Sequence, residues 1–142
     1  IPNSIKNKIQ NDWKDNGPFG LHIHCPEAAT PKDGPSAGTA ITIAIISLLT
    51  NTKILNNVAL TGEIDLNGSV HQIGGLDLKI DGGKFAGVNK ILIPKHNEQD
   101  LEIIKKTKPE IINDVEIIII SNVWEAIHHC LEPNNINFNY YS

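Results

Sequence analysis

Residues 58–74 read VALTGEIDLNGSVHQIG. Two runs of alternating apolar and polar residues flank Asn67-Gly68, a dipeptide that readily takes the positive φ angles of a tight turn, so the stretch predicts a β-hairpin. Downstream, Gly74-Gly75 opens a short helix carrying Leu76 and Lys79, which Gly82-Gly83 should weaken, and Asn89 to Ile93 predicts a strand stopped by Pro94. Glu98 to Lys106 has helical spacing, Val115 to Ile120 reads as a fully buried strand, and Ser121 stands as the cap of a last helix through Cys130, ahead of an Asn-rich tail. Upstream, SAGTAITIAIISLLT (residues 36–50) is apolar nearly all round, and its length favours a central buried helix beginning at Ser36. Phe19 to Cys25 alternates, with Leu21, Ile23 and Cys25 on one face and His22 and His24 on the other, the period of a half-buried strand. Asn3 or Ser4 can cap a first helix whose Ile5, Ile9 and Trp13 form a narrow apolar stripe. Strands alternating with helices around a hairpin imply an α/β domain, a mixed sheet with flanking helices and a β-hairpin insertion.

Composition narrows the function. The chain has 142 residues, 40% hydrophobic and 20% charged, which fits one globular domain over residues 1–142 and excludes disordered or collagen-like classes. Its longest apolar-rich stretch, Ala40 to Leu49, is about half of the ~20 residues a membrane span needs. Net charge is −4 and all twelve basic residues are scattered Lys, so nucleic acid is not an expected partner, and with no Arg any phosphate site would need backbone amides or Lys. Cys25 and Cys130 are too few and too far apart to staple a secreted fold, which points to a reducing, intracellular compartment. With no Met and no signal peptide at its start, the chain reads as a fragment of a longer protein or as one processed at its N-terminus.

The chemistry concentrates in Thr30-Pro31-Lys32-Asp33-Gly34-Pro35-Ser36-Ala37-Gly38. Pro35 fixes the backbone before Ser36, small residues surround it, and a helix start supplies N–H donors, which is how a nucleophile and its oxyanion site are presented. A serine hydroxyl needs a base, and locally that can be a His, a carboxylate or a buried Lys. Bland readings compete. A Ser at a helix start is most often an N-cap, and a Lys on a helix is nearly always a solvated charge. His22 and His24 can offer two sites of a zinc tetrahedron but lack a third ligand, so they read as structural and no metal is assigned. His128-His129 falls on the solvated face of the last helix with Glu125 as an ordinary neighbour, Cys25 reads as a small core residue, and Glu63 and Asp65 read as a wet strand face.

PEAATPKDGPSAG (residues 26–38), TGEIDLNGSV (61–70), the stretch Gln72 to Lys79 with its IGGL core and KILIP (90–94) resemble, in order and spacing, the proteolytic domain of the Lon ATP-dependent proteases. The resemblance runs from about His22 to Ile127. It implies a Lon protease-domain-like fold and a serine endopeptidase that cleaves unfolded protein substrates. Carried over by position, Ser36 is the nucleophile, Lys79 the base of a Ser-Lys dyad and Thr61 the residue whose hydroxyl holds the lysine amine, with Ile73, Leu76 and Ile80 available as the apolar surround that burial of the amine requires. Asp33 belongs to a loop that moves between blocked and open arrangements in the family, and Glu63 lies in the TGEI motif. The family also implies a ring, hexameric in the full-length protein, and an ATPase module that binds ATP and Mg. The phosphate-binding string GxxxxGK[ST] does not occur in these residues, so no cofactor is expected on this chain. The sequence departs from the family at Ala28, where a Gly is usual, and at Asp81, Gly82, Gly83 and Phe85. The family domain also begins before the position of Ile1, so the domain reads as truncated on its N-terminal side. Two rivals remain, a non-catalytic module in which the Gly34–Gly38 backbone and helix N-terminus cradle an anion or phosphate, and a structural member serving assembly.

Overall fold

The computed structural model describes residues 3–17, 20–24 and 34–133. Along the chain come helix α1 (Asn3–Asn16), helix α2 (Gly38–Thr50), strands β1 (Val58–Leu60), β2 (Glu63–Ile64) and β3 (Val70–His71), helix α3 (Leu76–Phe85), strand β4 (Lys90–Pro94), helix α4 (Glu98–Thr107), strand β5 (Glu116–Ile120) and helix α5 (Val123–Cys130). β1, β4 and β5 form a parallel sheet with β4 in the middle, in the register Ala59, Ile91, Ile117. β2 and β3 pair antiparallel as a separate hairpin, Glu63 opposite His71 and Ile64 opposite Val70.

Strand alternation sorts the apolar side chains to two faces. Leu92 and Ile120 face one side with Val58, Leu60 and Ile118, packing against Ile43 and Ile46 of α2 and Val123, Ala126 and Ile127 of α5. Ile91 and Ile93 face the other side with Ala59 and Ile117, against Leu76 and Ile80 of α3 and Leu101 and Ile104 of α4. Each of these side chains that is fully buried contributes about 1.5–3 kcal/mol of transfer free energy. α3 lies in the β1-to-β4 crossover and α4 in the β4-to-β5 crossover, and both cover the same face, as two parallel crossovers of one hand must. This is the helix-flanked α/β architecture that the sequence pattern predicts.

Several local expectations are corrected. The run 58–74 does not form one hairpin. Thr61-Gly62 divides it, sending Val58–Leu60 into the parallel sheet and leaving Glu63–Ile64 for the hairpin. Asp65 is not merely a wetted side chain, because its Oδ1 accepts from the N–H groups of Asn67 (2.8 Å) and Ser69 (3.0 Å) and its Oδ2 pairs with His71 Nε2 (2.8 Å), closing the turn at Gly68 (φ 84°). Residues 20–24 form no strand and are exposed, and Phe19 and Cys25, the ends of the expected strand, lie outside the described residues. α2 begins at Gly38 with Ala37 as its N-cap, two residues beyond Ser36. Asn122, not Ser121, caps α5: its side chain accepts from Glu125 N–H at 3.1 Å while Glu125 Oε2 accepts from Ser121 N–H at 2.7 Å, a reciprocal box rather than an idle glutamate. Among the described residues β5 is an edge strand with Ile119 40% exposed, so it is only partly buried. α3 runs through Gly82-Gly83 because a Cβ at Gly83 would stand 2.9 Å from Ile91 Cδ1; glycine there lets the helix settle onto β4. α1 forms as expected, but Trp13 is 51% exposed.

Candidate active site

Ser36 sits in the turn leading into α2 and is not that helix's cap, so the commonest structural role for a serine in such a place falls to Ala37 instead. Its carbonyl oxygen is held from two sides, by Gly62 N–H at 2.9 Å and by the Thr61 hydroxyl at 3.3 Å. Gly62 is tied in turn to the helix, its carbonyl accepting from both the N–H (3.0 Å) and the hydroxyl (2.9 Å) of fully buried Thr39. The approach is close enough to require glycine: a Cβ at Gly62 would come 2.4 Å from Val70 Cγ1 and 2.8 Å from Thr39 Oγ1. Thr61 N–H donates to Leu92 O at 3.2 Å, which anchors this knot to the central strand.

Lys79 lies one turn into α3, and its Nζ stands 3.2 Å from Ser36 Oγ, across 43 residues of sequence. That is within reach for proton transfer between an amine and a hydroxyl. The structure therefore brings Ser36 and Lys79 together. Thr61 joins them through the serine's carbonyl, to which its hydroxyl donates at 3.3 Å. The expected apolar surround is displaced. Ile73, Leu76 and Ile80 are buried, but they belong to the core between α3 and α4, while Lys79 is exposed.

A cleft of about 570 Å³ opens over the pair, lined by Gly34, Pro35, Glu63, Gln72, Gly75 and Leu78 among others. A smaller hollow of about 320 Å³ lies on the other side of the pair, floored by Ala37, Ala40, Ala59, Gly83 and Ile91. Glu63, exposed at the cleft wall, is thus a site-facing residue and not only a solvated one. At the head of α2, Gly38 N–H donates to Pro35 O at 2.9 Å and Thr39 N–H to Gly62 O at 3.0 Å. With those two amides engaged, an anion at this helix start would have to use amides upstream of Gly38.

Other singled-out residues lie apart. His22 and His24 are exposed with stacked rings 6.4 Å apart. Lys32 and Asp33 fall outside the described residues, as do Cys25 and Ala28. His128 is exposed, whereas partial burial lowers the pKa of His129 below its ordinary value, with the neighbouring His128 adding to the effect. Cys130 is fully buried and burial pushes its thiol up to about 12, leaving it unreactive. Among the described residues no three His, Cys, Asp or Glu side chains gather as a metal site, and no helix is long and apolar enough to cross a membrane. Three residues escaped the sequence reading. Gly62 and Thr39 sat inside motifs without a visible reason, and Asn97 carried no signal at all. Asn97 is fully buried, accepting from Ile73 N–H and donating to Ile73 O.

Residues 3–133 match the family described as the Lon protease (S16) C-terminal proteolytic domain. Among curated proteins, a Lon protease homolog of Acanthamoeba polyphaga mimivirus is 47% identical over 96% of this chain and 13% of its own length. The Lon proteases of Rickettsia felis and Vibrio parahaemolyticus are 42% and 44% identical, over 89% and 83% of this chain and 16% and 15% of their lengths. The chain thus spans well under one fifth of the length of the relatives it matches.

Proposed function

Because this chain belongs to the family of the Lon protease (S16) C-terminal proteolytic domain, whose members are serine endopeptidases, we propose that Ser36 and Lys79 are its catalytic dyad. The observation that carries this reading is the 3.2 Å separation of Lys79 Nζ and Ser36 Oγ. In its neutral form the Lys79 amine takes the Ser36 proton as Oγ attacks a peptide carbonyl, and the resulting ammonium gives that proton to the leaving amine. Water then attacks the acyl carbonyl as Lys79 takes its proton, and the Oγ–acyl bond breaks with that proton returning from Lys79 to Ser36 Oγ, which releases the peptide as a free acid and restores the neutral amine. Since the Gly38 and Thr39 amides are engaged, the oxyanion falls to the amides just upstream, those of Ser36 and Ala37. Thr61 and Gly62 hold the Ser36 carbonyl, so that the nucleophile does not swing as its hydroxyl changes partner. Lys79 is exposed, and a bound peptide lying along the cleft supplies the desolvation that a neutral amine needs.

At the level of the whole protein, the substrates are unfolded or damaged polypeptides, fed by a separate ATPase module using ATP and Mg, in a ring of subunits within a reducing intracellular compartment. Family membership supports the substrates, the ATPase module and the ring, and the two widely spaced cysteines support the compartment. The direct test is intact mass after incubation with a serine-directed phosphonylating reagent. A single adduct on the parent chain, absent from Ser36→Ala and Lys79→Ala, is the expected result. No adduct on the parent, or adducts on both variants, sinks the dyad.

A further inference from the structure

We infer that Asn97 is a positioning residue for Lys79: its carboxamide holds the backbone of Ile73 and thereby sets where α3 starts and where the lysine amine stands. This role presupposes the Ser36–Lys79 dyad. Asn97 is fully buried in the short 3-10 turn Lys95–Asn97 between β4 and α4. A buried carboxamide left unmatched is costly, and here both N–H donors and one acceptor direction are used. Oδ1 accepts from Ile73 N–H at 3.1 Å, and Nδ2 donates to Ile73 O at 2.9 Å and to Asp100 Oδ2 at 2.7 Å. One side chain thus makes the paired contact that a neighbouring strand would otherwise make with Ile73.

Such a clamp matters because the two residues that join Ile73 to α3 do little to hold themselves. Gly74 and Gly75 come next, Gly75 with φ 63°, and two glycines in succession barely restrain their own backbone. Gly75 is the N-cap of α3 and its carbonyl accepts Lys79 N–H at 3.1 Å. The buried side chain of Leu76 seats the first turn of α3 in the core, and Ile73 is the nearest backbone ahead of the two glycines that paired hydrogen bonds hold. The same segment, Gln72 to Gly75, walls the cleft that holds Ser36 and Lys79, and Asp100 lines the groove on its other side. Proton transfer tolerates little displacement, and about 1 Å of misplacement costs on the order of a hundredfold in rate.

The test uses the 142-residue chain and two substitutions, Asn97→Ala and Asp100→Ala. Three quantities are read: phosphonyl adduct formation at Ser36 as a function of pH, the thermal midpoint, and amide hydrogen exchange by segment. The expected result for Asn97→Ala is adduct formation slowed about ten- to a hundredfold with a changed pH profile, and faster exchange at residues 73–79 but not at 90–94 or 116–120. Asp100→Ala keeps both Ile73 bonds and should slow the reaction only a few-fold. Full reactivity with an unchanged pH profile in folded Asn97→Ala overturns the inference, and so does slowing accompanied by faster exchange throughout the sheet. If Asn97→Ala does not fold, Asp100→Ala decides by the same readouts, unchanged reactivity and exchange overturning the inference. A parent chain that forms no adduct removes the dyad reading instead; exchange at 73–79 then decides, local loosening upholding the clamp and its absence overturning it.

Discussion

The serine and lysine sides of the cleft are built by opposite means. Ser36 is held at its own backbone, where Gly62 N–H and the Thr61 hydroxyl converge on one carbonyl and Thr39 ties Gly62 back to α2. Lys79 reaches the same place at the end of a long flexible side chain on an exposed helix face, and its helix is seated by Leu76 and Ile80 in the core, behind the hydrogen-bonded Ile73. One half is rigid by local hydrogen bonding; the other is placed by the helix that carries it. Damage on the serine side should therefore cost stability and activity together, whereas damage on the lysine side should cost activity first.

The largest effect that sharpens this contrast is chemical. Ser36→Ala should abolish adduct formation and Lys79→Ala should slow it by about 10²–10⁴-fold, so that neither variant carries an adduct over the incubation that labels the parent, each with a thermal midpoint close to the parent's. A marked loss of stability in Lys79→Ala would erase the distinction between the halves. Next comes Gly62→Ala, whose new methyl group meets Val70 and Thr39; overpacking of this kind costs about 1–3 kcal/mol, so both the thermal midpoint and the adduct rate should fall. Thr61→Val should lose about 1 kcal/mol in chemical denaturation and slow the reaction, while Thr61→Ser, which keeps the hydroxyl on the Ser36 carbonyl, should stay near the parent. The smallest effect lies beyond the cleft, in the hairpin. His71, then the Ser69 amide, hold the Asp65 carboxyl below its ordinary value of 3.8. A carboxyl lowered in the folded state contributes stability above its unfolded value and loses it as pH falls through the folded one, so exchange of the Asn67 and Ser69 amides should accelerate only below about pH 4. Acceleration at neutral pH in Asp65→Asn would give the same result from the other direction.

Periodicity exposed the helices and the β4 and β5 strands because their apolar residues recur at spacings that only burial explains. It misjudged 58–64 for a physical reason. Alternation says that a segment is extended, but not which partner it pairs with, and the change of partner at Thr61-Gly62 is dictated by tertiary contact with Thr39 and Val70. The strand expected at 19–25 illustrates the converse: residues 20–24 alternate in sequence yet are exposed and unpaired in the sheet. At the site, Ser36 stood out locally through Pro35 and the helix start, but its pairing with Lys79 was visible only through motif resemblance, since neither a lone serine nor a lone lysine advertises a partner 43 residues away. Asn97 was illegible because an asparagine in a polar stretch looks like any turn residue until its burial is known.

The 43-residue separation within the pair also bears on the life of the chain before it is folded. During synthesis Ser36 emerges well before Lys79, and β4, the strand that joins both halves through Thr61 and Ile91, emerges later still. Parallel pairing of β1 with β4 closes a long loop and cannot precede the arrival of both strands. If Ser36 and Lys79 form the proposed dyad, a nascent copy carries the serine without its base until its own sheet has closed.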